Sequence, residues 1–195
     1  MSDQSFVIAF PLLPASEMLQ ASESIISYLS NRNIISDQLS SCVLSKENFG
    51  YAPGIKFIEA TVFKEERVDI INCNFAAFSS KLQVNGLEVL MDRKCVANAS
   101  GEWQFIQCPS CSEMCPYLEE FSVVLDHWLA KTGNELLTCN VCNDASPVTL
   151  WGFSNDMVLG NLILQFWNWP EISKELCEDL SQLIGYEART ILCRF

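Results

Sequence analysis

Four cysteines are the residues of this sequence whose spacing could do chemistry. Cys108 and Cys111 enclose Pro-Ser, and after 27 intervening residues Cys139 and Cys142 enclose Asn-Val. A Cys-x-x-Cys turn directs two sulfurs toward one point, so two such turns can supply the four soft ligands that tetrahedral Zn²⁺ takes at about 2.3 Å. The spacing predicts a structural zinc site with these four ligands. It leaves two alternatives open, which are unliganded buried thiols and a redox pair.

This segment resembles the zinc-ribbon class, in which two knuckles, often of the form Cys-Pro-x-Cys-Gly, lie at the tips of hairpins. The resemblance covers residues 108–142, and Pro109 fits it. Ser112 and Asn143 stand where the pattern has glycine, and asparagine tolerates a left-handed backbone better than serine does. A helix-bearing insertion between the knuckles is unlike a minimal ribbon. The two turns together predict a closed four-thiolate site. Cys115 follows Cys111 by four residues, so it is either a substitute ligand for Cys111 or a residue at the start of a helix with no metal role.

The remaining residues do not nominate an enzyme. A site closed by four thiolates has no open coordination position with which to activate water. His127 is the only histidine, and on a helix it falls on the side of Glu120 and Lys131, which favours a solvated position over a general base. Phosphate-binding glycine loops, nucleophile elbows and His-Glu-x-x-His motifs do not occur. We therefore expect a non-catalytic protein; a thiol-dependent enzyme, with a dyad of Cys115 and His127, is the catalytic alternative.

Composition and charge limit the partners. The chain has 195 residues, of which 49% are hydrophobic and 18% charged, as expected of a folding chain. Its 24 acidic residues outweigh 12 lysines and arginines, and the formal charge of -12 repels polyanions and attracts basic proteins. The apolar stretch 6–13 has no basic start, contains Pro11 and is too short to span a bilayer. We expect a cytoplasmic protein with no membrane segment, in which clustered cysteines bind metal or are buried.

Hydrophobic periodicity predicts an α+β fold with two lobes packed as one body. The N-terminal lobe, residues 1–95, is predicted to contain a strand over 6–13, a helix over 17–31 capped by Ser16, a strand near 41–44, and antiparallel strands over 55–63, 68–75 and 82–91. The second lobe, residues 96–195, is predicted to contain a strand over 102–107, a zinc-ribbon-like insertion whose helix over 116–131 starts at Pro116, and a C-terminal β-α-β unit. That unit comprises a strand over 159–167, a helix from Pro170 to a stop at Gly185, and a strand over 187–195.

Aromatic and acidic residues near the C-terminus are candidates for a partner-binding surface. Strand alternation in Phe166-Trp-Asn-Trp169 predicts that one ring faces outward, although most such rings belong to a core. The outer face of the last helix is acidic, which suits a basic partner or serves solubility alone. The candidate partner-binding residues are Trp151, Trp167, Glu171, Glu175, Glu178 and Asp179.

Two functions from different classes follow from these features. Size, acidity and the lack of catalytic residues give the chain a general resemblance to bacterial immunity proteins, which neutralise toxins, often basic nucleases, by direct binding. That resemblance implies a basic toxin or effector as the partner. The alternative is a zinc-ribbon module of a nucleic-acid-associated or transcription-related assembly, which the acidic residues around the knuckles disfavour. The oligomeric state stays open.

Overall fold

The computed structural model describes residues 3–44, 49–65, 82–98, 105–116, 119–153 and 157–194. Within these ranges the fold is α+β, as predicted. The helices are α1 (Met18–Asn31), α2 (Glu119–Ala130) and α3 (Lys174–Ile184). The strands are β1 (Gln4–Phe10), β2 (Ile35–Ser40), β3 (Gly50–Pro53), β4 (Gly86–Ala97), β5 (Phe105–Gln107), β6 (Met114–Pro116), β7 (Leu136–Thr138), β8 (Ala145–Pro147), β9 (Gly152–Phe153), β10 (Met157–Trp167) and β11 (Arg189–Arg194).

The largest described sheet has six strands in the order β11-β1-β10-β4-β3-β2, and every neighbouring pair is antiparallel. Strand β1 lies between β10 and β11, which are therefore parallel to each other and are linked by α3. This is the predicted β-α-β unit, with an N-terminal strand inserted into it. The lobe boundary predicted at residues 95 and 96 falls inside β4, and the sheet takes strands from both lobes. The two predicted lobes therefore contribute strands to one sheet, because β4 pairs with the distant strand β10.

Helices α1 and α3 cover one face of this sheet. Helix α1 buries Ile25 and Leu29 and helix α3 buries Leu176 and Leu180, in one cluster with strand residues such as Phe166. Each fully buried side chain of this size contributes about 1.5–3 kcal/mol. The Ser173 hydroxyl accepts the N–H of Leu176, and Gly185 ends α3 with a φ of 79°. These caps fix where the helix begins and ends.

A second core lies beneath the four cysteines. Helix α2 presents Phe121, Val124 and Trp128 to a cluster that also contains Leu137 of β7 and Leu159 of β10. Strands β4 and β10 continue past an irregularity between Gly160 and Leu162, so their far ends reach this second core. The part of the chain that carries the cysteines is thus mounted on an extension of the main sheet.

Several predicted elements differ from the structure. Residues 55–63 form two short 3-10 helices, Phe57–Ala60 and Val62–Glu65, instead of a strand. Phe57 and Ala60 are buried, whereas Ile55 is 89% exposed. The buried residues are three apart, which is the period of a 3-10 helix, and over so short a run this period resembles the alternation of a strand. The strand predicted near 41–44 is displaced, because β2 lies before these residues and ends at Ser40, and residues 41–44 are not in a strand. The strand predicted over 68–75 lies outside the described residues.

The predicted helices exist, but their starts move. Helix α1 begins with Glu17 at its cap position and has no side-chain capping bond, so Ser16 does not cap it. Pro116 ends β6 and is not the first residue of α2. Helix α3 begins four residues after Pro170, since Ser173 supplies the cap and the segment before it bonds to the 3-10 region. Among the described helices, none combines the length and the apolar character that a bilayer crossing requires.

Candidate metal centre

Each cysteine pair lies at the tip of a short hairpin. Cys108 and Cys111 connect β5 to β6, and Cys139 and Cys142 connect β7 to β8. The two turns have matching hydrogen bonds, all about 3 Å long. The N–H of the first cysteine bonds to the carbonyl five residues later, and the N–H four residues after that cysteine bonds back to its carbonyl. The chain thus builds the same thiol-presenting turn twice.

The residue after each pair adopts a left-handed backbone. Ser112 has a φ of 60° and Asn143 a φ of 61°. A left-handed residue reverses the chain tightly, so the hairpin can close behind the two thiols. The sequence pattern indicated this requirement, because glycine, the residue that adopts this conformation at least cost, is expected at both positions. Serine at the first turn carries the larger steric cost of the two.

The four sulfurs meet at one point. All of them lie within 4.8 Å of one another, which confirms the predicted cluster of Cys108, Cys111, Cys139 and Cys142. Two distances that cross between the turns, from Cys108 Sγ to Cys142 Sγ and from Cys111 Sγ to Cys139 Sγ, are both 3.8 Å. Four sulfurs placed tetrahedrally at about 2.3 Å from a metal are also about 3.8 Å apart. The geometry therefore fits a tetrahedral metal ion.

The backbone of each turn favours thiolates. The N–H of Ser110 points to Cys108 Sγ and that of Val141 to Cys139 Sγ, each at 3.4 Å. Hydrogen bonds from the N–H groups of Cys142 and Val141 lower the pKa of Cys139 to about 6. The N–H of Glu113 lowers the pKa of Cys111 in the same way, but lost hydration and the neighbouring sulfurs outweigh it and raise that pKa to about 12.

Opposite shifts of this kind are expected where neighbouring sulfurs compete for negative charge. Like charges a few ångströms apart disfavour one another, so one thiolate forms readily and raises the cost of the next. A cation at the centre removes this repulsion and allows all four thiols to lose their protons. The four clustered thiols could therefore hold a metal ion.

A hydroxyl-carboxylate bridge connects the two turns on the outside. Ser110 of the first turn donates its hydroxyl to Asp144 Oδ2, which also accepts the hydroxyl of Ser146 at 3.0 Å. These bonds lower the pKa of Asp144. Sequence reasoning missed this bridge, since Ser110 is an unremarkable residue within its Cys-x-x-Cys turn. It holds the turns in register independently of the sulfurs.

The surroundings of the cluster are half open. Cys108 and Cys139 are buried at 1% and 0% exposure, whereas Cys111 and Cys142 are exposed. Cys115, considered above as a substitute ligand, is buried in β6 and lies outside the group of four. Burial raises the pKa of Cys115, and a hydrogen bond to Cys139 raises it further.

Arg93 of β4 donates to Glu135 at 2.6 Å and to the Trp128 carbonyl at 2.8 Å. These two bonds attach α2 and the second hairpin to the main sheet.

His127 is less solvated than its helix position suggests. The side chain is partly buried, and its Nδ1 lies beside Gly133, where an added Cβ would approach within 2.9 Å. Within the described part of the chain, this nitrogen has no hydrogen-bond partner. The exposed position expected for His127 is therefore corrected, because the turn after α2 folds back over the ring.

The two tryptophans proposed as partner anchors are buried. Trp151 is 0% exposed, and its carbonyl accepts a 2.6 Å bond from Arg189. Trp167 is 5% exposed and donates its indole N–H to the buried carboxylate of Glu88 at 2.8 Å. Neither ring is available at the surface, because each lies inside a core that local alternation does not reveal.

The four acidic candidates are exposed on or beside α3. Some are engaged within the chain: Glu178 pairs with Lys174 at 3.4 Å, and Asp179 pairs with Arg32 at 3.3 Å and accepts the Tyr28 hydroxyl. Glu171 lines a cavity of about 630 Å³ beside α3 together with Glu178, and Glu175 is exposed in the first turn of the helix. The face is acidic as predicted, but it is partly neutralised.

Comparisons of the chain with protein-family models, with curated proteins and with solved structures find no match. The geometry of the site and the charge of the surface are accordingly the basis for a functional proposal.

Proposed function

We propose that this chain is a non-catalytic, acidic binding protein whose fold is stabilised by structural zinc. The observation that supports zinc binding is the 3.8 Å separation of sulfurs across two matching turns. Soft thiolates in a tetrahedron select Zn²⁺ or iron among common metals, and zinc binds without redox chemistry. The two hairpin-borne knuckles with left-handed closing residues support a site of the zinc-ribbon type.

A structural role follows from the ligand set. Four thiolates complete the coordination of the metal, so no position stays open for a substrate or for water. The cluster sits directly on the core of α2, where Cys108 and Cys139 pack with Phe121 and Leu137. Binding energy at such a site is folding energy, because the unfolded chain does not hold the four sulfurs together.

Charge supports a basic protein as the partner. The net charge is -12. Glu113 and Asp144 lie in the two thiol turns, and Glu119 and Glu120 lie in the first turn of α2. The nearby cations Arg93 and Lys131 are each bound to a carboxylate, at 2.6 Å and 2.7 Å. Such a surface accelerates encounter with a positively charged protein and repels nucleic acid. We propose a basic toxin or effector that this protein neutralises by direct binding, in the manner of an immunity protein.

Metal analysis tests the first half of the proposal. The purified protein should contain close to one zinc per chain and should be colourless, whereas iron in the same site would absorb visible light. Replacement of zinc by Co²⁺ should give the visible bands of tetrahedral thiolate coordination. A protein that folds normally in the presence of a strong chelator and contains no metal would overturn the structural role.

Co-purification tests the second half. The product of an adjacent gene, co-expressed with this chain, should form a tight complex, and its toxicity should be relieved. Association should slow as salt is raised, since the attraction is screened over about 8 Å at physiological ionic strength. Binding to duplex or single-stranded nucleic acid at the same salt, without binding to any basic protein, would overturn this half.

A further inference from the structure

A groove runs between α2 and β7 on the side of the second hairpin. Its volume is about 530 Å³, and it is lined by α2 and by the strand that leads to Cys139. Its lining residues include Glu119, Glu120, Val123, His127, Leu136 and Thr138. The groove is separate from the acidic face of α3, and its described lining residues do not include the four clustered cysteines.

The floor of the groove is apolar and open to solvent. Val123 is 49% exposed and Leu136 is 43% exposed, although both are aliphatic. Val124 and Leu137 lie beneath them and belong to the core. Neighbouring exposed aliphatic side chains within a concave surface are typical of a site that a partner covers.

The rim of the groove is negatively charged. Glu119 and Glu120 occupy the first turn of α2, and in the part of the chain that the structure describes neither forms an ion pair. Two cations beside α2 are already bound, Arg93 to Glu135 and Lys131 to Asp92. The rim therefore has two carboxylates available for a positively charged ligand.

One edge of the groove offers backbone hydrogen bonds. Among described strands, β7 pairs only with β8. Glu135 and Cys139 bond toward β8, so the alternation of an antiparallel ladder directs the N–H and C=O of Thr138 to the open edge. The corresponding groups of Leu136 are bound by the Asn134 side chain, at 3.0 Å for the N–H and 3.3 Å for the C=O. A short extended segment, engaging Thr138, suits this edge.

We propose that this groove is the docking site for the basic partner, which enters as an extended segment with lysine or arginine beside aliphatic side chains. This inference rests on the proposed function and names the surface that performs it. The aliphatic side chains cover Val123 and Leu136, and the cationic ones reach Glu119 and Glu120. Charge complementarity selects this occupant, because the rim carboxylates would repel acidic peptides and phosphates alike.

Docking depends on the metal. Thr138 and Asn140 line the groove and flank the ligand Cys139. Without the ion, the second hairpin loses one of its attachments to the first, and the groove loses its defined wall. The protein should therefore bind its partner only when metal is present, although the ion touches no part of the partner.

Titration with a designed peptide tests the proposal. The probe is acetyl-Val-Lys-Val-Arg-Val-amide, added to the zinc-loaded full chain and followed by amide chemical shifts, with acetyl-Val-Glu-Val-Asp-Val-amide as its charge-reversed twin. The basic peptide should move the amides of Val123, Thr138 and Asn140. The double variant Glu119→Gln, Glu120→Gln should weaken binding roughly 5- to 30-fold, from two partly screened charges.

A matched double variant controls for overall charge. Glu171→Gln with Glu175→Gln removes the same charge from the region of α3 and should leave the affinity within about 2-fold, while Cys139→Ser should abolish saturable binding. Equal weakening by both double variants, equal binding of both peptides, or shifts confined to α3 would overturn the groove. A basic partner that binds the wild type and the Glu119→Gln, Glu120→Gln variant equally would refute the groove as the docking site but leave the proposed function intact. If neither the peptide nor any basic partner binds the protein, the docking site and the proposed function are both refuted.

Discussion

Replacing Cys139 by serine should remove most of the metal affinity of the protein. Cys139 is fully buried, and its Sγ lies 3.8 Å from Cys111 Sγ on the opposite turn. Serine keeps the size of the side chain but supplies a hydroxyl that stays protonated at neutral pH, so three ligands remain. Structural zinc sites contribute about 10–16 kcal/mol at pH 7 in peptides that fold around the ion. An equal share for one ligand is roughly 2.5–4 kcal/mol, which corresponds to a loss of about 10²- to 10³-fold in affinity.

Competition against a chromophoric chelator measures this loss directly. Near-ultraviolet circular dichroism reports the packing of Trp128 and Trp151, which lie in the core beneath the site, and it should weaken together with metal loss. Cys115→Ser is the matched control, because that thiol is also buried but lies outside the group of four. It should keep one zinc per chain. Wild-type zinc affinity in Cys139→Ser, or metal loss in Cys115→Ser, would refute the assigned ligand set.

Three further outcomes follow from individual residues. Burial raises the pKa of Cys95 and of Cys177 to about 11, so both thiols are protonated at pH 7. Their alkylation should be slow at pH 7 and should accelerate toward pH 11, which timed iodoacetamide labelling with mass spectrometry can measure. Ser112→Gly should raise stability by up to about 1 kcal/mol by relieving a left-handed serine, seen as a higher Tm, and a lower Tm would contradict this account of the turn. Trp167→Phe removes a hydrogen bond to buried Glu88 and should lower the free energy of unfolding by about 1–3 kcal/mol in urea titrations. An unchanged free energy of unfolding would mean that this hydrogen bond does not stabilise the fold.

The cluster of four cysteines was predictable because its information is local. Cysteine spacing determines where the sulfurs can go, and the glycine-like positions 112 and 143 both proved left-handed. The helix between the knuckles was also predictable from the 3.6-residue spacing of Phe121, Val124 and Trp128. Each of these features depends on residues that are neighbours in the chain.

Features that depend on distant pairing were not predictable in this way. Trp167 is buried because Glu88, 79 positions earlier, accepts its indole N–H. The Ser110–Asp144 bridge spans 34 positions. The run 55–63 looks like a strand because apolar residues alternate over a short distance, but it lies in 3-10 helices whose backbone bonds to the distant segment before α3. The groove beside α2 likewise arises from two elements whose faces meet only in the folded chain.

The position of β1 between β10 and β11 imposes an order on biosynthesis. Gln4 lies opposite Arg194, so the first strand lacks both of its neighbours until β10 and then β11 have been synthesised. Contacts of such long sequence separation slow folding. The thiol turns, in contrast, occupy one continuous stretch, residues 108–142, so a metal ion bound there would be captured while synthesis continues. We expect the nascent chain to fold its cysteine-bearing part first and to need shielding of the apolar Phe6–Phe10 stretch until β10 and β11 follow.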